Sequence, residues 1–298
     1  MPRISSESPQ SQKAAIKCKF CGSQKTVRYG HYGNIQRHFC KECQRKFADN
    51  FAPPNMRTPS VQVASALGMF YEGMSLNAIQ RHLLQTFSNK SSNSTIYEWI
   101  LKYSKMAVAA DRIYSTRQIK KSSQVLGHGP FWVTNETMIK IEGKNAWVWD
   151  VMDSWSRFLL ASHLTFTRTA GDVKGVLEMA ADRTGEVPGL IITDKLRTYP
   201  EGIELAFGSD TMHVQAIGST VHPQANYIDR FYGPIRIRNK TIKGLKKKES
   251  TELIIHGWLV YYNFLRPNIA LANEIPAHIA GIEFPYRTWL DLVDAKSG

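Results

Sequence analysis

Two acidic residues in the second half of the chain stand where carboxylates could hold a metal ion. Asp194 ends an apolar run that begins at Leu190, and Asp229 is followed by a basic run. That run, Arg230 to Lys248, holds eight Lys or Arg residues and no acid. Mg²⁺ prefers oxygen ligands and is usually bound by one or two carboxylates together with substrate phosphates. These residue types therefore predict a divalent-metal site beside a phosphodiester backbone.

Four cysteines near the start of the chain predict a second metal site of a different kind. They form two pairs with the same internal spacing, Cys18, Cys21, Cys40 and Cys43. Two such pairs are typical of a structural Zn²⁺ site, and disulfides are not expected in a reducing compartment. His31 and His38 lie between the pairs and could replace a thiolate, but four cysteines already fill a tetrahedral shell. We therefore predict a zinc ribbon over residues 13–50.

Helical periodicity follows the ribbon. We predict one helix at 59–72, a second at 76–86 capped by Ser75, and a third that begins near Ser94. This pattern favours a helix-turn-helix domain over residues 56–112, with Thr95 and Tyr97 placed to enter a major groove. The alternative is a plain three-helix bundle that acts as a spacer or dimer contact.

Alternating and continuous apolar runs then predict a mixed α/β core. The predicted strands are 131–141, 145–152, 158–164, 190–193 and 212–216. The predicted helices are 170–183, 226–240 and 250–264. A linker is predicted at 120–123, before this core.

These elements and their motifs resemble the DDE transposases of bacterial and archaeal insertion sequences, a retroviral-integrase-like group. Asp194 matches the second acid of that family, Asp229 matches the third, and the segment 257–268 with Pro276 resembles its closing helix and turn. The resemblance implies a ribonuclease-H-like mixed-sheet core that binds Mg²⁺ or Mn²⁺. It also implies cleavage and transfer of DNA strands, with transposon ends and target as double-stranded partners, by a homodimer or a higher oligomer.

Two positions depart from the family pattern. Asp229 stands where the family usually has Glu, a difference of one methylene group. Asn135 stands where the first catalytic Asp is expected. An amide oxygen can touch a metal ion, but it brings no charge to offset a divalent cation.

Asp150 is the candidate to replace the missing carboxylate. If the first two core strands form a hairpin that turns at Glu142 and Gly143, then Asp150 lies opposite Asn135 on the same face of the sheet. Glu136 points to the other face, because consecutive strand residues alternate. The alternative is that Asp150 only pairs with a nearby Lys or Arg, and Asp153 is a weaker candidate.

The basic run supplies the predicted phosphate contacts of the core. These residues share a position in or just after the helix predicted at 226–240: Arg230, Arg236, Arg238, Lys240 and Lys243. For the ribbon, contact with DNA and a merely solvated basic face both remain open. The predicted order is a disordered tail at 1–12, the ribbon, the helix-turn-helix domain, the catalytic core at 125–245, and a helical extension at 246–298.

Composition agrees with a polyanionic partner. The 298 residues carry a formal net charge of +13, and the pI is about 9.6, which favours nucleic acid over a membrane surface. We expect a cytoplasmic, nucleoid-associated protein, or a nuclear one if the host is eukaryotic. The leading hypothesis is a DNA-binding transposase; the alternative is an inactive or domesticated relative that only binds DNA. A zinc-ribbon transcription factor with an unrelated α/β domain is a third possibility.

Overall fold

The computed structural model describes residues 16–114, 131–215, 238 and 247–295. They fall into two compact units, Met1–Val61 with Asp294–Gly298, and Gln62–Val293. The tail predicted at 1–12, the linker at 120–123 and the helix at 226–240 lie outside the described residues, apart from position 238.

The first unit contains a small antiparallel sheet. Its strands are β1 (Thr26–Tyr32), β2 (Ile35–Cys40) and β3 (Lys46–Ala48), in the order β1-β2-β3. Its core consists of three buried residues and three partly buried neighbours: Cys18, Cys40, Phe47, Ile16, Phe20 and Cys43. So small a core does not stabilise a fold without a crosslink or a metal.

Three helices follow, α1 (Ser60–Tyr71), α2 (Leu76–Phe87) and α3 (Asn93–Tyr114). Ser75 caps α2 as predicted, since its hydroxyl accepts a hydrogen bond from the N–H of Ala78 at 3.3 Å. The observed bounds agree with the predicted ones to within one residue at each end that was specified.

The second sheet has five strands: β4 (Phe131–Ile141), β5 (Lys144–Asp153), β6 (Leu159–Thr165), β7 (Leu190–Thr193) and β8 (Met212–Gln215). Their order is β6-β5-β4-β7-β8. The first three strands pair antiparallel, whereas β7 runs parallel to both β4 and β8. This is the ribonuclease-H-like mixed sheet that the sequence predicted.

The hairpin between β4 and β5 has the predicted register. Ile141 pairs with Lys144, and Asn135 pairs with Asp150. The turn residues Glu142 and Gly143 have φ values of 51° and 77°. Positive φ at both central residues is typical of a type I′ turn, whose twist matches that of the flanking strands.

Two helices connect the parallel strands, α4 (Ala170–Thr184) and α5 (Thr198–Phe207), and a short 3₁₀ turn, Gly208–Asp210, leads into β8. The sequence did not predict α5, because Pro200 and Gly202 read as helix breakers. Pro200 lies in the first turn of α5, where proline is tolerated. A Cβ at Gly202 would lie 2.5 Å from the Cβ of Val173, so glycine allows α5 to approach α4.

The last part of the unit is helical and packs along α3. It comprises α6 (Lys248–Val260), a π turn at Tyr261–Leu265, a 3₁₀ turn at Ile269–Leu271, α7 (Pro276–Ile279) and α8 (Trp289–Asp294).

Within the second unit, close contacts join the end of α1 to α3 and to this helical part. The hydroxyls of Tyr71 and Ser104 are 2.5 Å apart, and Tyr261 donates to Glu72 at 2.6 Å. Within the described ranges, no helix combines the length and the apolar character needed to cross a membrane.

Gly257 is the point of closest approach between α6 and these helices. A Cβ there would collide with the Tyr71 hydroxyl and touch Ser104. We therefore expect Gly257→Ala to lower the free energy of unfolding by about 1–3 kcal/mol, as overpacking does, in urea denaturation. Gly175→Ala on α4 is the matched control, because a Cβ there meets nothing within 4 Å. The control should gain up to about 1 kcal/mol from helix propensity; equal losses in both variants would contradict this interpretation.

Candidate functional site

The predicted catalytic positions 135 and 194 lie on neighbouring parallel strands. Val133 of β4 pairs with Ile192 of β7, and the pairing between these two strands ends there, two residues before Asn135 and Asp194. Asp194 is the first residue after β7. Ligands commonly bind beyond the carboxyl ends of parallel strands, and Asp194 lies at such an end.

Asp194 is half-buried, and its carboxylate accepts a hydrogen bond from the N–H of Leu196 at 3.1 Å. Partial burial raises the pKa of Asp194, and the negative charge of Glu136 raises it further. The hydrogen bond from Leu196 and the charge of Arg168 act in the opposite direction. A carboxylate whose charge is disfavoured in this way gains from a nearby cation.

Glu136 belongs to the surroundings of Asp194, which the sequence did not reveal. Its side chain is 5 % exposed and forms an ion pair with Arg168, at the loop before α4. It also accepts a hydrogen bond at 2.9 Å from Tyr199 of α5, and burial together with the charges of Glu136 and Asp194 raises the pKa of that phenol. Both oxygens of Glu136 are therefore engaged by protein donors. No sequence pattern marks Arg168 or Tyr199 as its partners.

The opposite face of β4 and β5 carries Asn135 and Asp150, both fully buried. One guanidinium nitrogen of Arg238 lies 2.5 and 2.6 Å from the two oxygens of Asp150, and Ser162 donates to the same carboxylate at 2.6 Å. The guanidinium also lies 5.6 Å from the ring centre of Trp258. Asp150 is thus opposite Asn135 as predicted, but it is held in a buried ion pair, which was the alternative interpretation. Its carboxylate is not open to a metal ion.

Arg238, which the sequence predicts to contact DNA, points into the protein. Arg238 has no exposed surface and pairs with Asp150. A buried carboxylate needs a compensating cation, and Arg238 supplies it. Asp153, the weaker candidate, accepts hydrogen bonds from the backbone N–H and the hydroxyl of Ser156 at 2.8 and 2.6 Å, which orders the turn after β5.

The remaining predicted residues of this stretch lie outside the described residues: Asp229, Arg230, Arg236, Lys240 and Lys243. Thr95 and Tyr97 are in the first two turns of α3 and are half-buried. The N–H of Thr95 donates to the hydroxyl of Ser92 at 3.2 Å, so the start of α3 is capped.

The four cysteines meet as predicted, with every pair of sulfur atoms within 4.8 Å. The sulfur atoms of Cys18 and Cys43 are 3.6 Å apart, and those of Cys21 and Cys40 are 3.5 Å apart. A tetrahedral Zn²⁺ with Zn–S bonds near 2.3 Å places its ligands roughly 3.8 Å apart. The donor set and its spacing therefore fit zinc.

The surroundings of the cysteines also suit thiolate ligands. The backbone N–H of Cys43 lowers the pKa of Cys40 to about 7, with a further contribution from Glu42, whereas burial raises the pKa of Cys43 to about 12. A bound cation would favour the thiolate form of both residues. His38 stacks on Phe47, and His31 lies on the exposed strand β1. Neither histidine joins the cluster among the described residues.

The fold and these positions define a ribonuclease-H-like core of the kind that uses divalent metal ions. Residues 130–267 match the family model described as a DDE domain, of the IS240 type of transposase. Residues 130–267 are thus similar to the DDE domain of insertion-sequence transposases, which supports a role in DNA transposition and recombination. No curated protein matches the sequence of the chain.

Solved structures show distant similarity. The catalytic core of HTLV-2 integrase in complex with magnesium is 17 % identical, with a TM-score of 0.40, over 50 % of this chain and 95 % of that one. An integrase chain of the simian T-cell lymphotropic virus intasome, in complex with a PP2A regulatory subunit, is 14 % identical, with a TM-score of 0.39, over 78 % and 75 %. The BIV integrase core is 15 % identical, with a TM-score of 0.35, over 50 % and 92 %. The similarity to the family rests on the sequence match of residues 130–267.

Removal of one partner of the Asp150–Arg238 pair should destabilise the core strongly. Asp150→Ala leaves the guanidinium of Arg238 buried without its carboxylate, and we expect a loss of about 3–5 kcal/mol in urea denaturation. The double variant Asp150→Ala/Arg238→Leu should recover most of that loss. Glu252→Ala, which breaks the exposed pair with Lys248 on α6, is the control and should cost less than about 0.5 kcal/mol. A double variant no more stable than the single one would contradict charge burial as the cause.

The raised pKa of Asp194 gives a pH-dependent prediction. A carboxyl group whose pKa is higher in the folded state than in the unfolded state destabilises the fold once it ionises. Asp194→Asn should therefore raise the melting temperature at pH 8, and the gain should vanish at a pH below the ordinary range of Asp. Asp182→Asn on the exposed side of α4 should change the melting temperature at neither pH. A loss of stability in Asp194→Asn at pH 8 would overturn the assignment.

Proposed function

We propose that this chain is a DNA-binding transposase whose core does not cut DNA as encoded, because position 135 lacks a carboxylate. The observation that carries the proposal is the state of the acids around that position. Asp150 is fully buried against Arg238, and Glu136 is engaged by Arg168 and Tyr199. Among the described acids of the site, Asp194 alone keeps a carboxylate partly open to solvent.

The donor set therefore falls short of a two-metal site. Such a site places two ions about 3.5–4 Å apart, one on the attacking and one on the leaving oxygen. Asp194 and, by resemblance, Asp229 are the proposed ligands, and Asn135 contributes no charge. We assign Mg²⁺ or Mn²⁺ as the ion that these residues would hold once the third carboxylate is restored.

DNA binding is proposed from the helices and from charge. A capped α2, a short turn and a polar start of α3 suit a helix-turn-helix, with Thr95 and Tyr97 directed to the major groove. The basic run supplies phosphate contacts from residues outside the described ranges: Arg230, Arg236, Lys240 and Lys243. These contacts fix the position of the protein on DNA without reading its sequence. A dimer is the simplest assembly that brings two transposon ends together.

Structural Zn²⁺ is proposed for the four cysteines. The metal would link the two ends of the ribbon, whose core is too small to fold alone. The proposal is supported by the spacing of the sulfur atoms and by the N–H groups that stabilise the Cys40 thiolate.

The second candidate function is an active transposase that works with Asp194 and Asp229 alone. The raised pKa of Asp194 favours it, since a carboxylate in that state binds a cation readily. Cleavage assays distinguish the two functions.

The test measures nicking of an oligonucleotide in the presence of Mg²⁺ or Mn²⁺. Three proteins are compared at equal DNA binding: the unaltered chain, Asn135→Asp, and Asn135→Asp/Asp194→Ala. We expect no metal-dependent nicking by the unaltered chain. Asn135→Asp should show nicking at least about 100-fold above that background, because even outer-shell partners of a metal site are worth 10–100-fold.

Asn135→Asp/Asp194→Ala is the control and should nick no DNA. Nicking by the unaltered chain that Asp194→Ala abolishes would establish the second candidate function. An inactive but folded Asn135→Asp would show that the defect lies elsewhere.

A further inference from the structure

The three-stranded sheet of the ribbon has one face that the fold does not use. On its inner face, Cys40 and Phe47 pack with the cysteine cluster, and His38 is buried. The strand register identifies the residues of the outer face. Val27 pairs with Phe39 and Phe39 pairs with Lys46, so these three side chains lie on one face. The strand β1 is exposed along almost its whole length.

Tyr29 is the centre of this outer face. Its side chain is 45 % exposed. The ammonium of Lys46 donates to the Tyr29 hydroxyl at 2.7 Å and lies 4.1 Å from the ring centre. The guanidinium of Arg37 lies 5.9 Å from the same ring, and Phe39 packs 6.2 Å away. One exposed ring thus holds two cations in fixed positions.

The charges of this face are not balanced by acids. Within the described part of the chain, no carboxylate forms an ion pair with Arg37 or Lys46. Lys25, elsewhere on the ribbon, differs because its ammonium pairs with Glu42 at 2.5 Å. Between positions 17 and 49 the sequence holds eight Lys or Arg residues against two acids. The outer face therefore suits a polyanion.

We propose that the Tyr29-centred face, formed by Tyr29, Arg37 and Lys46, binds the phosphate backbone of duplex DNA. Two cations held beside one ring offer positive charge to the phosphates, and the Tyr29 hydroxyl holds Lys46 while leaving it further N–H donors. The choice of DNA as the ligand rests on the proposed function, in which the chain is a DNA-binding transposase. The contact is independent of sequence and acts in addition to the helix-turn-helix.

The experiment measures fluorescence anisotropy of the full-length, zinc-loaded protein with a duplex of arbitrary sequence across a KCl series. Each neutralised phosphate contributes about 0.9 to the slope of log K against log[KCl]. Arg37→Ala/Lys46→Ala should therefore reduce the magnitude of that slope by about 2. Lys25→Ala is the matched control, exposed but already paired, and should leave the slope unchanged. Zinc content and circular dichroism verify that each variant remains folded.

The outcomes separate the alternatives. An unchanged slope in a folded double variant overturns the proposal, as does an equal fall in Lys25→Ala, which would reflect net charge alone. A loss confined to one DNA sequence would also overturn it, because phosphate contacts carry no sequence preference. Failure of Asn135→Asp to cut DNA leaves the slope test intact. The proposed loss of cleavage and this surface can therefore fail separately.

Discussion

The buried ion pair between Asp150 and Arg238 determines which charges the sheet can hold around position 135. A charge in a protein interior costs several kcal/mol unless it is compensated. Arg238 and Ser162 provide that compensation, and with Asn135 neutral the face carries one charge of each sign. An aspartate at 135 would add a second negative charge directly opposite Asp150. The residue at 135 and the ion pair are therefore linked through the charge balance of one face.

On the other face of β4 the charges are compensated differently. Glu136 is neutralised by Arg168, yet its charge still raises the pKa of Asp194 across the site. Asp194 is thus in surroundings that favour either a proton or a bound cation. Asp194 is half-buried, whereas the side chain of Glu136 is only 5 % exposed. The two faces together leave one carboxylate for metal binding, where the chemistry of the family needs more.

Local signals predicted much of this fold. The turn at Glu142 and Gly143 fixed the register, and the period of two along each strand then placed Asp150 opposite Asn135. The cysteine spacing predicted the cluster for a similar reason, since each pair is short and rigid. The Ser75 cap is also local in sequence.

Partners distant in sequence could not be predicted. Arg238 lies 88 residues from Asp150, and nothing in a run of basic residues marks the one that turns inward. Arg168 and Tyr199 are equally unmarked as partners of Glu136. The helix α5 was missed because Pro200 and Gly202 disfavour helices in general, whereas here the proline is in the first turn and the glycine serves close packing.

The two units are stabilised by different means, and this difference explains the outer face of the ribbon. A strand that contributes to a large core must bury one face, and its residues then alternate between apolar and polar. The strand β1 buries neither face. Such a strand stays folded only if another interaction stabilises the ribbon. Four thiolates on one Zn²⁺ would provide that interaction. With the fold held by such a metal, Tyr29, Arg37 and Lys46 would not be needed for packing, and their side chains would be available for a ligand.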